Sequence, residues 1–541
     1  MPQQESRQEL QEKDKALIKK LAALVLTPPK KTSFRNLAVR TILRGKDELT
    51  GFLALERMAR QKGCFNIRIE KRRWRDTDGS AYRFTLARAA STDMWPMGTH
   101  YWVRDNSVIG ARYLFSGQRS KEKLGKELLI SALTFMSSVQ QLDRFRKIIA
   151  ASSRSYVTNA AHWPYIFAGV NNNLNTAHPE TWAHKQDAWQ ILAWYVLEGI
   201  ERGLISLEDL NPRHRAFFGL IVPFLAKISF WKCENSGSWE ELPAIRSSVR
   251  AWEHRLVVLL GELSVRKEFS FLNQGYRAVR SHLGKGYAKK DLRAAVAVMD
   301  RAATRQMLED LPFEAPSYSR TDPRYREADA ALIYLLQIEY LDFLAARAGK
   351  KATWKDTMEK KILGLLVRLD DPKTGGMARY ENDSYQRVGF FRNLTVRKLQ
   401  ELYGAPSGDA SSCFVGRDKV VPKGRTAMWT HFVWQLAAWS GKRSLEDPDI
   451  RFRVLHEFFF ARGLALITGN KEVSVDVDSR GKVRIIKIPA WRMPECYISD
   501  VSPTKEMLVF PSPHTPLNWS IAEMEEAFRI RKLVVSGSCG L

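Results

Sequence analysis

Cysteine is scarce: the five in 541 residues (Cys64, Cys233, Cys413, Cys496 and Cys539) lie far apart and form no CxxC pair. An odd, scattered set excludes a disulfide framework and a zinc site, and it suits a reducing compartment. Long apolar runs are missing too, and the opening stretch MPQQESRQELQEKDKALIKK has no signal-peptide core, so a soluble, cytoplasmic protein with no membrane insertion is expected. The chain has no GxxxxGK[ST] phosphate loop, no HExxH and no GxSxG elbow, and the lone GxG of 284-GKGY-287 is a weak signal. Nothing therefore points to nucleotide hydrolysis, zinc proteolysis or a serine esterase, and neither a cofactor nor a metal is expected. Acidic residues are the scarcer charge, 59 against 85 basic, which leaves +26. Such an excess attracts anions at long range. The basic residues are nevertheless spread along the chain, with short clusters such as 71-KRRWR-75. A solvated basic surface with no specific nucleic-acid role is the reading this favours.

What the chain does have is apolar and aromatic mass: 45% hydrophobic, 11% aromatic and 16 tryptophans. That is enough to bury a large core. Residues 1–33 read as a partly helical or flexible arm, with an amphipathic pattern over 4–26 broken by 27-TPPKKTS-33, and 34–541 as a single domain. Apolar spacing of three and four predicts helices over 124–145, 187–203, 214–228, 244–263, 326–346, 355–369, 427–440, 450–466 and 519–533. Several of these, 187–203 among them, are apolar nearly all round, as suits helices covered on both sides. The one clear strand pattern is the alternation in 472-EVSVDVDSRGKVRIIKI-488, a hairpin. Long loops rich in Trp, Tyr and Gly (96–108, 160–186, 233–243, 371–386, 490–518) separate the helices, and loops of that length are commonly functional.

Those loops repeat Trp, Arg, Asp and Glu. In 101-YWVRDN-106, Trp102 offers a ring face while Arg104 and Asp105 offer a donor and an acceptor; in 375-GGMARYENDSY-385, Arg379, Tyr380 and Asp383 do the same. In 235-NSGSWEELPAIRS-247 two adjacent glutamates follow a tryptophan. Stacking a hexose on an indole, bonding its hydroxyls and cleaving its glycosidic bond with two carboxylates needs these residue types. Each set taken alone also reads as a salt bridge at a loop base or as an acidic first turn of a helix.

The order of the pieces resembles glycoside hydrolase family 15, the glucoamylase family: W-x-R-D, then Q-D in 184-HKQDAW-189, W-E-E, R-Y-x-x-D-x-Y, and late 494-PEC-496 and 516-PLNWS-520. The forms 102-WVRDN-106 and 50-TGFLAL-55 are similar to the branch holding the phosphorylase-kinase regulatory subunits and their bacterial relatives. The resemblance runs from roughly residue 35 to 535. It implies an all-α (α/α)6 toroid, with the pocket at one end of two concentric helix rings.

The resemblance further implies that Glu240 is the general acid, with Trp239 and Glu241 shaping the first sugar subsite. Glu495 would be the base that activates the attacking water, and Trp519 the tryptophan at the sugar. Trp102, Arg104, Asp105 and Arg379 would bind the terminal glucosyl unit, while Gln186, Asp187, Asp383 and Tyr385 line or brace it. Inversion leaves room for a water, so the two carboxyls are expected about 6.5–9.5 Å apart. The leading expectation is an inverting, exo-acting α-glucosidase of soluble α-glucans or oligosaccharides. The alternative is a glucan-sensing or regulatory protein with the same pocket and little turnover. A long segment after Tyr385 and the lack of a starch-binding module both argue against raw starch.

Overall fold

The computed structural model describes residues 48–90, 100–159, 162–169, 187–239, 243–322, 324–371, 375–381, 427–447, 449–469, 471–479, 482–501, 507–512 and 514–536. The predicted helix over 4–26, and Gln186, Glu240, Glu241, Asp383 and Tyr385, lie outside these residues.

Helices dominate and alternate between two layers. The helices that build the layers are α1 Glu48–Gln61, α2 Val103–Leu114, α3 Arg119–Met136, α4 Asp187–Glu201, α5 Pro212–Ile228 and α6 Ser247–Leu263, then α7 Leu292–Asp310, α8 Ile333–Gln337, α9 Ala352–Arg368, α10 His431–Glu446, α11 Ile450–Ala465 and α12 Asn518–Ser536, with further helices between them. The even-numbered helices close a ring: α2 touches α4, α4 touches α6, and the contacts continue through α8, α10 and α12 back to α2. The odd-numbered helices lie outside, α1 on α12, α3 on α2, α5 and α7 on α6, α9 on α8 and α11 on α10. This is an all-α (α/α)6 toroid.

Burial follows the layers. In α4 the side chains from Asp187 to Ala193 are all buried, and in α10 those from His431 to Gly441. Helices covered on both faces must be apolar or polar-paired all round, as the sequence pattern indicated. Outer α9 buries a single stripe, Ile362, Leu365 and Leu366. On α1 the stripe is Phe52, Leu55 and Ala59, and Phe52 packs against Phe528 of α12 at 5.6 Å between ring centroids. The crossing of α3 on α2 depends on glycine: a Cβ on Gly125 would stand 2.3 Å from the Leu114 backbone nitrogen.

Three predicted helices have different limits. The span 124–145 is broken at Ser137 and Ser138, where Ser138 caps the following helix Val139–Ala150 by accepting from Gln141 N. The span 326–346 begins as a loop, and its turn at Asp329 precedes a short 3-10 segment, Ala330–Leu332, and α8. It breaks again at Glu339, whose φ of 52° is left-handed, before the helix Tyr340–Arg347. In 427–440 the first residues form a strand.

Among the described residues nine strands edge the helices: β1 Ile69–Arg75, β2 Ala81–Ala87, β3 His100–Trp102, β4 Phe167–Gly169, β5 Ala427–Trp429, β6 Val473–Ser479, β7 Lys482–Ile488, β8 Cys496–Val501 and β9 Met507–Pro511. β6 and β7 form the antiparallel hairpin the alternation predicted. β1–β2 and the sheet β5–β8–β9 were not anticipated. β1, IEKRRWR, hides its pattern because charged residues fill it, and only Trp74 is buried.

Candidate active site

The first turns of the ring helices meet at one end of the toroid. Arg104, at the start of α2, donates from Nη1 to Asp187 Oδ2 at 3.1 Å, the first residue of α4, and to the Ser238 carbonyl at 2.7 Å, in the turn that leads towards α6. Its guanidinium lies over the Trp519 ring of α12 at 5.2 Å. Trp519 in turn stacks on His431, the first residue of α10, at 4.5 Å and 30°. The approach to α8 joins the same cluster, because Ala330 N donates to the Arg379 carbonyl at 2.7 Å and the Arg379 guanidinium lies over Trp429 at 5.1 Å. Helix N-termini carry partial positive charge and unpaired N–H groups, so this end of the ring favours carboxylates and polar ligands.

Glu495 is fully buried in this cluster. Its Oε2 accepts from Ser512 Oγ at 3.0 Å, and Ser512 Oγ accepts from His514 N at 3.2 Å. Because Ser512 is held by the amide at its back, its hydroxyl proton is directed at the carboxylate. Thr430 fixes the backbone beside it: Thr430 N donates to the Glu495 carbonyl at 3.3 Å, and Thr430 Oγ1 donates to the Pro494 carbonyl at 2.6 Å. This couples β5 and the start of α10 to the glutamate that immediately precedes β8.

The other expected side chains divide into rings, charges and braces. Trp102 pairs with Phe167 across β3–β4 and stacks on its ring at 5.0 Å, so one of its faces is already covered. Asp105 is buried in the first turn of α2. Next to it, Asn106 anchors the loop by donating to the Trp102 and Ala87 carbonyls at 2.8 and 2.9 Å. Tyr380 is buried under the Arg326 guanidinium, 3.3 Å from its ring centroid. It therefore acts as a brace. Trp239 ends the 3-10 turn Gly237–Trp239.

Residues that the sequence reading did not single out complete the setting. His431 is kept neutral, its proton affinity pushed well below the ordinary imidazole value by burial first and then by Arg104 and Arg379. Glu314 accepts from Ser248 N at 3.0 Å and from Ser248 Oγ at 2.6 Å at the first turn of α6. Burial and then Asp329 push its pKa up to about 7, against the pull of Arg246 and Ser248. Beneath the cluster, Glu523 of α12 receives Arg112 Nε at 3.0 Å, Gln435 Nε2 at 3.1 Å and Trp519 Nε1 at 3.1 Å. That network ties three ring helices together and fixes the Trp519 ring. The clues to His431 and Ser512 were in the chain, in 429-WTHFVW-434 and 511-PSPH-514, but their partners are distant in sequence.

The cluster gathers buried guanidiniums, carboxylates, indole rings and one hydroxyl-held carboxylate, the group types that bind and cleave a glycoside. Among the described residues no group of three His, Cys, Asp or Glu is placed to hold a metal ion. No described helix is long and apolar enough to cross a membrane. A separate cavity, lined in part by Leu335, Glu359, Trp439 and Arg443, lies at the C-terminal ends of α8 and α10, away from this cluster.

No family model matches the chain, and no curated protein matches it. Among solved structures it is similar to a glycosidase variant in complex with glucose, at 13% identity and a TM-score of 0.47, covering 91% of this chain and 100% of that one. It is also similar to a glucoamylase from Saccharomycopsis fibuligera, at 12% identity and a TM-score of 0.41, covering 83% of this chain and 89% of that one. A third is a glucoamylase from Hormoconis resinae, at 12% identity and a TM-score of 0.36, covering 90% and 74%. Superpositions this loose say nothing of activity, and the toroid stands on the chain's own helix contacts.

Proposed function

We propose that this chain is an inverting, exo-acting α-glucosidase that removes terminal glucosyl units from soluble α-glucans or oligosaccharides. The observation that supports it most is the buried Glu495 carboxylate, held by Ser512 at the same end of the toroid as the Arg104–Asp187 pair and the Trp519 ring. Glu240 is proposed as the acid that protonates the departing glycosidic oxygen, and Glu495 as the base that takes a proton from water on the opposite face of the sugar. In this scheme water's oxygen bonds to the anomeric carbon as the glycosidic bond breaks, and the leaving hydroxyl departs with the proton from Glu240. Arg104, Asp105 and Arg379 would hold the hydroxyls of the terminal unit, Trp519 and Trp102 its apolar faces, and Asp187 would keep Arg104 in place. Ser512 Oγ donates to Glu495 Oε2 and so helps to orient the carboxylate that receives the water's proton in this scheme.

The experiment is a pair of substitutions read on maltose, maltoheptaose, isomaltose and trehalose. Glu240→Gln and Glu495→Gln should each cut turnover by about 100-fold or more with binding retained, because the amide keeps the shape and loses the proton chemistry. Turnover near the wild-type value in either variant would remove that residue from its role.

A further inference from the structure

From Arg277 to Arg305 the chain carries eight Lys or Arg and two Asp, which supplies +6 of the total +26. Both aspartates are occupied. Asp291 Oδ1 caps α7 by accepting from Ala294 N at 2.7 Å, while Asp300 accepts from His254 Nε2 at 2.8 Å and from Arg347 Nη1 at 3.4 Å. Some exposed cations elsewhere have carboxylate partners, such as Arg202 with Glu198, Arg347 with Glu262 and Arg368 with Glu381, each at 2.6 Å, while others, Arg73, Arg75 and Arg83 on β1–β2 among them, have none among the described residues. The exposed side chains of Arg277, Lys285, Lys289, Arg293, Arg301 and Arg305 have none among the described residues.

The segment folds back on itself. Arg280 Nη1 donates to the Lys290 carbonyl at 3.3 Å and Tyr276 Oη to the Tyr287 carbonyl at 3.2 Å, while helix Ser270–Val279 packs against α7. Arg293, Arg301 and Arg305 then continue along α7, over about 18 Å at 1.5 Å per residue. Unneutralised charge at this density repels itself, and a line of negative charge relieves the repulsion. Half-buried Tyr287 stands between Lys285 and Lys289, an aromatic among cations of the kind on which bases stack. A bilayer would fit less well. The exposed large apolar side chains among the described residues are Leu53, Val139, Val265, Val367 and Ile450, none of them in this segment, so nothing here can wedge into lipid.

We propose that the outer wall between Arg277 and Arg305 binds the phosphate backbone of single-stranded nucleic acid without reading its sequence. The sequence alone did not suggest such a face because the six exposed cations are four to eight residues apart and form no run.

The test is fluorescence anisotropy of a labelled 20-nucleotide oligo(dT) with the full chain, titrated with salt. Six engaged cations should give a slope of log affinity against log salt of about −4, at about −0.7 per phosphate. The triple variant Arg293→Glu, Arg301→Glu, Arg305→Glu should bind at least about tenfold more weakly and lose about 2 from the slope. Lys285→Glu with Lys289→Glu, on the adjoining turn, repeats the test if the triple variant fails to fold by circular dichroism. Tyr287→Ala should weaken binding more than Tyr287→Phe. Unchanged affinity in the folded charge variants overturns the proposal, as does tighter binding to phosphatidylserine vesicles or inorganic polyphosphate than to the oligonucleotide.

Discussion

Arg104 bonds to Asp187 and Ser238 and covers Trp519, so one side chain joins three of the six ring helices. Removing it leaves the Asp187 carboxylate, 1% exposed, without that cation. Arg104→Met is therefore expected to destabilise the fold by about 3–5 kcal/mol, the scale for breaking a buried pair on one side, as read by urea unfolding. A loss under about 1 kcal/mol would mean that water reaches the pair. Glu314 gives a pH signature. Its pKa rises from 4.5 to about 7 on folding, with burial the largest cause and Asp329 the next. A carboxyl that holds its proton more tightly when folded contributes stability that is complete below 4.5 and is lost as pH rises through about 7. Glu314→Gln keeps an acceptor for Ser248 and cannot ionise. Its Tm should fall less steeply than that of the parent between pH 4.5 and 7, and parallel Tm–pH curves in calorimetry would refute the assignment.

At the scale of helices and strands, the close crossings are the points most sensitive to substitution. A Cβ on Gly125 would meet Leu114 N at 2.3 Å and the Gly110 carbonyl at 2.5 Å, where α3 crosses α2; one on Gly275 would meet Gly219 Cα at 2.6 Å, where helix Ser270–Val279 crosses α5. These contacts are backbone and cannot rotate away, so Gly125→Ala and Gly275→Ala should each lose about 1–3 kcal/mol despite alanine's better helix propensity. A gain in urea midpoint for either would mean that the helices separate at no cost. The same elements show what was legible in the sequence. Helices 187–203, 214–228, 244–263, 450–466 and 519–533 could be read because apolar residues recur through each of them without a break. The breaks at Ser138 and Glu339 could not, since one is a cap and the other a left-handed residue within an unbroken apolar pattern. β3, β4 and β5 are three residues long, too short for any alternation to register. In the candidate site, Arg104, Asp187, Arg379, Glu495 and Trp519 were anticipated because order along the chain carries the resemblance. Ser512, His431 and Glu523 were not, because their significance lies in partners across the ring.

For the whole molecule, the alternation of inner and outer helices explains how one end gathers chemistry from residue 102 to residue 519. Each ring helix is entered from the same end, so every entering loop delivers its polar residues there. The +26 charge is a separate property, and +6 of it falls between Arg277 and Arg305 on the outer wall. The central claim is that this end of the ring hydrolyses α-glucosides with inversion. It is tested most directly by incubating the purified chain with maltose, maltoheptaose, isomaltose and trehalose and following the product anomer by proton NMR in the first minutes. The account predicts β-glucose from at least one of them, ahead of mutarotation. Initial α-glucose from the non-reducing end of maltoheptaose, where the leaving unit is not glucose, or no glucose from any substrate, would contradict it.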